Sequence, residues 1–176
     1  MRQRAALKSE LGGFLSQLKD ISDTMEALNR TAHYADETQA RSQIGYGRPV
    51  TFSAKLSYNR ELKPLDTIVF DAIISNVGGG YDAATGKFTA PTDGTYLFYS
   101  TILSGYNTKV ETAIIMNDKE VARIYSGAHD AHGSGSNTVA LSLSSGDVVW
   151  VRLLYQGGNH VHGYYSTFTG TLLAEA

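Results

Sequence analysis

The apolar residues of this chain change period once, and that change sets what it can fold into. They first fall at Leu7, Leu11, Phe14, Leu18, Ile21, Met25 and Leu28, in steps of four and three, and Ala32 and Ala35 keep the register. Beyond Gly45-Tyr46-Gly47-Arg48-Pro49 they alternate instead, in Val50-Phe52-Ala54-Leu56, in Tyr96-Phe98 with Ile102, in Val110-Thr112-Ile114-Met116, in Val139-Leu141-Leu143 and in Val149-Val151-Leu153. A step averaging about 3.5 keeps one stripe on one side of a helix, whereas a step of two keeps one face of a strand. The pattern predicts a helical stem over 1–42, a hinge over 43–49 and a β head over 50–176.

In the stem, Leu11, Leu18, Met25 and Ala32 take heptad position a, and Leu7, Phe14, Ile21, Leu28 and Ala35 take d. A β-branched and aromatic tendency at d favours three or more strands over two, so a parallel trimeric coiled coil is expected, the other reading being an amphipathic helix folded back on the head. The Gly12-Gly13 pair weakens the first turns. Acidic and basic residues balance in the stem, and positions e and g are mostly uncharged (Leu15, Gln17, Ser22, Thr24, Asn29, Thr31). Nothing there selects a foreign helix, so self-association is expected, with assembly beyond a homotrimer left open. Asn29-Arg30-Thr31 is a glycosylation sequon beside the seam and is read as unmodified.

The head must be rich in turns: 18 glycines and 11 tyrosines stand against three prolines. Gly78-Gly79-Gly80, Thr92-Asp93-Gly94, Asn117-Asp118 and Ser145-Gly146-Asp147 separate the alternating segments, which implies eight to ten antiparallel strands in two sheets. Alternation alone leaves a jelly roll and an immunoglobulin-like sandwich equally open. A net charge of −2 gives no general attraction to phosphate backbones, so nucleic acid is not expected as a partner. No run of about eighteen apolar residues offers membrane insertion. The basic start MRQRAALKSE lacks the apolar core of a secretory signal, so any export signal is expected to have been removed or never present. Without cysteine there are no disulfides, thiolate metal sites or cysteine nucleophiles.

The choice between sandwiches is made by Phe70-x5-Asn76-x4-Tyr81-x6-Phe88-x5-Gly94-x-Tyr96-x-Phe98, seven fixed positions within 29 residues. This spacing resembles the aromatic signature of the C1q globular domain, in the C1q and tumour necrosis factor superfamily, with Ser100 where the family expects one more aromatic. Ser145-Gly146-Asp147-Val148-Val149-Trp150-Val151 and Tyr165-Ser166-Thr167-Phe168-Thr169-Gly170-Thr171-Leu172-Leu173 resemble the family's turn into its penultimate strand and its closing strand, and the likeness covers nearly all of 48–174. The resemblance implies an all-β, ten-stranded jelly-roll sandwich that associates as a trimer, is usually secreted, and here stands on a coiled-coil stem in place of collagen. It also resembles short coiled-coil members of invertebrate body fluids that act as lectin-like recognition proteins. The aromatics are expected in the core and between protomers, and Gly94 where the chain turns before a strand.

Some relatives hold calcium through an Asp-rich run just ahead of the closing strand, where this chain has Val161-His162-Gly163-Tyr164-Tyr165 without a carboxylate; no calcium is expected there, and neither a metal nor a cofactor is the leading expectation for the chain. Four of the five histidines fall in two loops, His129-Asp130-Ala131-His132 and Asn159-His160-Val161-His162. These are ordinary exposed loop residues, or a glycan cup in which His129, Asp130, His132, Asn159, His160, His162 and Tyr164 offer donors, acceptors and flat rings, or a transition-metal site using the His-x-His pair. No Gly-x-Ser-x-Gly, His-Glu-x-x-His or phosphate loop occurs, and the Gly78-Gly79-Gly80 run reads as a flexible strand connection, so no enzyme is expected. The leading expectation is a secreted, extracellular pattern-recognition protein of innate immunity that binds carbohydrate or microbial surface glycans through trimeric heads. The other is a structural or signalling ligand that meets protein partners on the trimer flank.

Overall fold

The computed structural model describes residues 2–43, 48–154 and 160–176, with side chains of the helix described for 11–32. The chain divides into two compact units, Met1–Gly45 and Tyr46–Ala176. Within the first, a single helix α1 runs Arg2–Gln43 and passes through Gly12-Gly13. Leu11, Phe14, Leu18, Ile21, Met25 and Leu28 are each more than half exposed, and their heptad spacing places them in one stripe along the helix. The side chain of Leu7 and residues 44–47 of the expected hinge lie outside the described residues.

The second unit is all β. Its strands are β1 (Thr51–Lys55), β2 (Arg60–Glu61), β3 (Ala72–Val77), β4 (Tyr81–Asp82), β5 (Lys87–Thr89), β6 (Gly94–Leu103), β7 (Lys109–Met116), β8 (Lys119–Gly127), β9 (Ser134–Leu143), β10 (Val148–Leu153), β11 (His160–Val161) and β12 (Thr167–Glu175). Ten of them form two five-stranded sheets, β3-β1-β12-β6-β9 and β4-β5-β10-β7-β8, and β11 pairs with β2 in a short ribbon. All pairings between these strands are antiparallel, which gives the jelly-roll-like sandwich.

Alternation fixes the core, because residues at every second strand position share a face. Phe52 and Ala54 from β1, Tyr96, Phe98 and Ile102 from β6, Phe168 from β12, Val110 and Ile114 from β7 and Val149, Val151 and Leu153 from β10 are all fully buried. Phe52 is the hub: Tyr81 stacks on it at 4.5 Å and Phe168 meets its edge at 5.0 Å. Each such aromatic pair adds roughly 0.5–1.5 kcal/mol beyond the area it buries.

The signature aromatics Phe70, Tyr81, Phe88, Tyr96 and Phe98 are at most 4% exposed within the head of one chain, so they build its own core and have no surface left to give to a second protomer. Asn76 acts through its carboxamide, which donates to the Tyr81 carbonyl (2.8 Å) and accepts from the Tyr81 amide (3.2 Å). Gly78 and Gly79, at φ 81° and 69°, supply the left-handed backbone between the two clamped residues. The triple-glycine run is therefore a pinned turn, not a flexible connection. Gly94 opens β6 directly after the bend at 91–93, as expected, and has a further role: a Cβ there would stand 2.5 Å from the Ala174 carbonyl, so β12 can press against the start of β6 only if that side chain is missing. Ser100, in place of the family's further aromatic, is buried and donates to the Thr167 carbonyl (2.9 Å).

Candidate functional site

The two histidine loops emerge at one end of the sandwich, where β1, β6, β8 and β10 finish and β7, β9 and β12 begin. Two buried serines organise that end. Ser104 exchanges backbone and side-chain bonds with Gly133: its amide donates to the Gly133 carbonyl (2.9 Å), and its hydroxyl accepts from the Gly133 amide (3.0 Å). The Ser104 carbonyl then accepts from Nδ1 of His132 (2.9 Å). Ser166 does the corresponding work for the other loop. Its hydroxyl donates to the His162 carbonyl (2.8 Å) and accepts from the Leu103 amide (3.1 Å), while the His162 amide donates to the Leu103 carbonyl (2.8 Å). Nδ1 of His162 donates to the Gly163 carbonyl (2.9 Å), and the Gly163 amide donates to Asn59 Oδ1 (2.8 Å).

This scaffold brings His132 and His162 together although they are far apart in sequence. Their rings meet edge to face with centroids 5.1 Å apart. Tyr106 abuts His132 at 5.7 Å and Tyr165 abuts His162 at 5.5 Å, so four rings run Tyr106–His132–His162–Tyr165 across the surface. Tyr106, Tyr164 and Tyr165 are each more than 60% exposed. Since a carbonyl oxygen can only accept, both Nδ1 atoms carry a proton, which leaves Nε2 as the atom that can accept or ligate, and neither Nε2 has a hydrogen-bond partner among the described residues.

The other expected site residues separate. His129 pairs with its neighbour Asp130 (Nδ1 to Oδ2, 2.9 Å) on an exposed turn, where Asp130 has φ 54°. His160 packs its ring over Gly105 and turns Nδ1 toward Glu61 at 4.0 Å. The His-x-His pair therefore splits, and the imidazole beside His162 comes from the other loop. Asn159 lies outside the described residues. Tyr164, at φ 65°, stands in solvent beside the cluster with Lys55 Nζ 5.9 Å from its ring. Among the described residues no three His, Asp or Glu side chains converge as a metal-binding group.

Sequence reasoning missed Tyr106, Tyr165, Ser104, Ser166 and Asn59. A signal for two of the histidines was present: His132 and His162 are each followed by glycine. A Cβ on Gly133 would strike the Gly127 backbone, and one on Gly163 the Tyr58 and Asn59 backbone. Those close approaches draw each histidine down onto the scaffold.

Away from this end, a concavity of about 420 Å³ lies on the outer face of the β4-β5-β10-β7-β8 sheet. Trp150 packs with Ala113 and Ile115 there, and the Lys87 ammonium sits 4.5 Å over its ring. Asp82, Thr85 and Asn117 line the rim.

The family model described as C1q domain matches residues 51–173. This chain belongs to the C1q-domain family. The globular domain of zebrafish complement 1qA superposes with a TM-score of 0.63 at 18% identity, covering 72% of this chain and 99% of that one. The Eiger tumour necrosis factor of S. frugiperda superposes with a TM-score of 0.62 at 16% identity, covering 74% and 96%. Among relatives, heavy metal-binding protein HIP of Mytilus edulis is 31% identical over 168 residues, 88% of this chain and 78% of that protein. Caprin-2 of Danio rerio is 36% identical over 129 residues, 70% of this chain but only 14% of that protein.

Proposed function

We propose that this C1q-domain protein is a secreted, lectin-like recognition protein that assembles as a homotrimer and holds surface glycans at the histidine–tyrosine end of each head. The observation that carries the reading is the four-ring run Tyr106–His132–His162–Tyr165, whose Nε2 atoms have no partner among the described residues. Flat rings take the C–H face of a sugar, and imidazole and phenol groups take its hydroxyls. Each contact is weak alone. Domains of this family typically form trimers, and three sites on one body raise the effective concentration for the second and third contacts. The exposed heptad stripe of α1 supports the same assembly through a three-stranded stem.

A glycan array with the full chain tests this. Binding should fall at least tenfold in Tyr165→Ala and His162→Ala while the melting temperature holds. Undiminished binding in both would remove this end of the head from the site and turn attention to the concavity beside Trp150.

One observation favours a second reading. The Mytilus relative is named for heavy-metal binding, and in a chain without cysteine imidazole is a donor well suited to borderline ions.

A further inference from the structure

We infer that His132 and His162 form a two-imidazole site for a borderline transition-metal ion, with copper(II) or zinc(II) held between their Nε2 atoms. The inference rests on the metal-binding reading and supplies its ligands.

Three features of the pair point this way. Each Nδ1 is already committed to a backbone carbonyl, Ser104 for His132 and Gly163 for His162. That is the outer hydrogen bond metal-ligating histidines generally make, since it fixes the tautomer, orients the ring and raises the basicity of the other nitrogen. Second, the separation fits. Two imidazoles bound through nitrogen at about 2.0–2.1 Å to one tetrahedral ion hold their centroids roughly 5 Å apart, and these two stand at 5.1 Å. The rings stand edge to face at 88°, so loading the site requires a ring to rotate until both Nε2 atoms face the ion. Third, the loops are held rather than free: Ser104 and Ser166 are fully buried and bonded to both loops, so the ordering entropy of the ligands has been met in folding.

With two protein ligands the remaining coordination positions stay open to water or to an external donor such as a vicinal diol, in the way that open sites differ from closed structural ones. The ion would therefore sit on the same surface as the proposed glycan contacts. Imidazole nitrogen without carboxylate disfavours calcium and magnesium, and copper(II) should bind more tightly than zinc(II) or nickel(II).

Calorimetric titration of the full chain with each metal salt, paired with nitrogen-15 NMR of the imidazoles, tests the assignment. Expected are Nδ1–H tautomers at His132 and His162 in the metal-free protein, and copper(II) binding tighter than zinc(II) with calcium silent. Metal should perturb the Nε2 signals of those two residues. His132→Gln and His162→Gln should each weaken binding at least tenfold, and the double variant should bind no more weakly than expected from loss of the whole site. Retention of the wild-type melting temperature in each variant shows that the loops stay folded. Metal binding that survives both variants, or that perturbs His129 or His160 instead, would overturn the pair and leave the metal reading standing. No binding of any of the three transition metals would overturn both.

Discussion

Asp71 shows what a single residue contributes at the rim of the site. Its carboxylate accepts from the Ser57 amide (3.1 Å) and the Ser57 hydroxyl, and faces Arg60 at 3.6 Å, while the Arg60 guanidinium lies 3.9 Å over the Tyr58 ring. Partial burial pushes the carboxyl up, but the two Ser57 bonds and the Arg60 charge outweigh it and hold Asp71 below its ordinary value. A carboxyl depressed in the folded state stabilises the fold above its unfolded value of about 3.9, and that contribution is lost as pH falls through the lower folded value. Asp71→Asn should therefore be less stable than wild type at neutral pH, with the gap closing on acidification below about pH 4. Urea midpoints measured across that range check it, and a gap independent of pH would show that Asp71 acts by shape alone. Such residue-level partnerships were not legible in the chain. Ser57 and Asp71 stand 14 positions apart and meet only because β1 and β3 pair, and no period marks a bond between two loops.

Elements were far more legible, for the same reason in reverse. Burial imposes a period on any strand long enough to show one, so β1, β6, β7 and β10 could be found by alternation. β2 and β11, of two residues each, are too short to carry a period, yet β11 holds His160 and leads into His162. The histidine loops were visible as composition, but which imidazoles would meet depended on Ser104 and Ser166 in the sheet ends. The turn from β3 to β4 lies between these cases: its glycines were plain and its clamp was not. Asn76→Ala should cost about 1–3 kcal/mol, because the Tyr81 amide loses its acceptor at a part-buried site. Asn76→Asp, which keeps an acceptor for that amide but no donor for the Tyr81 carbonyl, should fall between. Equilibrium denaturation of both variants checks the order, and equal stability of all three would mean that the glycines close the turn unaided.

For the whole molecule, the proposed trimer would depend on the stem for three weak sites to act as one. Leu11, Phe14, Leu18, Ile21, Met25 and Leu28 expose a long apolar stripe on a helix whose other positions are mostly polar or charged, and water alone is a poor partner for it. The head buries its own signature aromatics to within 4% exposure, so those residues cannot hold three heads together. In the proposed trimer, assembly would then fall to the stem seam and to the outer faces of the sheets. Leu18→Asp combined with Leu28→Asp puts a charge at one a and one d position. Each helix in a trimer would bring two unpaired carboxylates to the axis, where desolvation and mutual repulsion oppose association. Light scattering should then report loss of the trimer, with the melting transition of the head unchanged because its core lies within one chain. Binding to a glycan-coated surface should weaken by 10²-fold or more, on the order expected when linked contacts become independent, while affinity for a free monovalent sugar stays the same. A trimer that survives the double substitution would place assembly in the heads, and the stem would then serve only as a spacer.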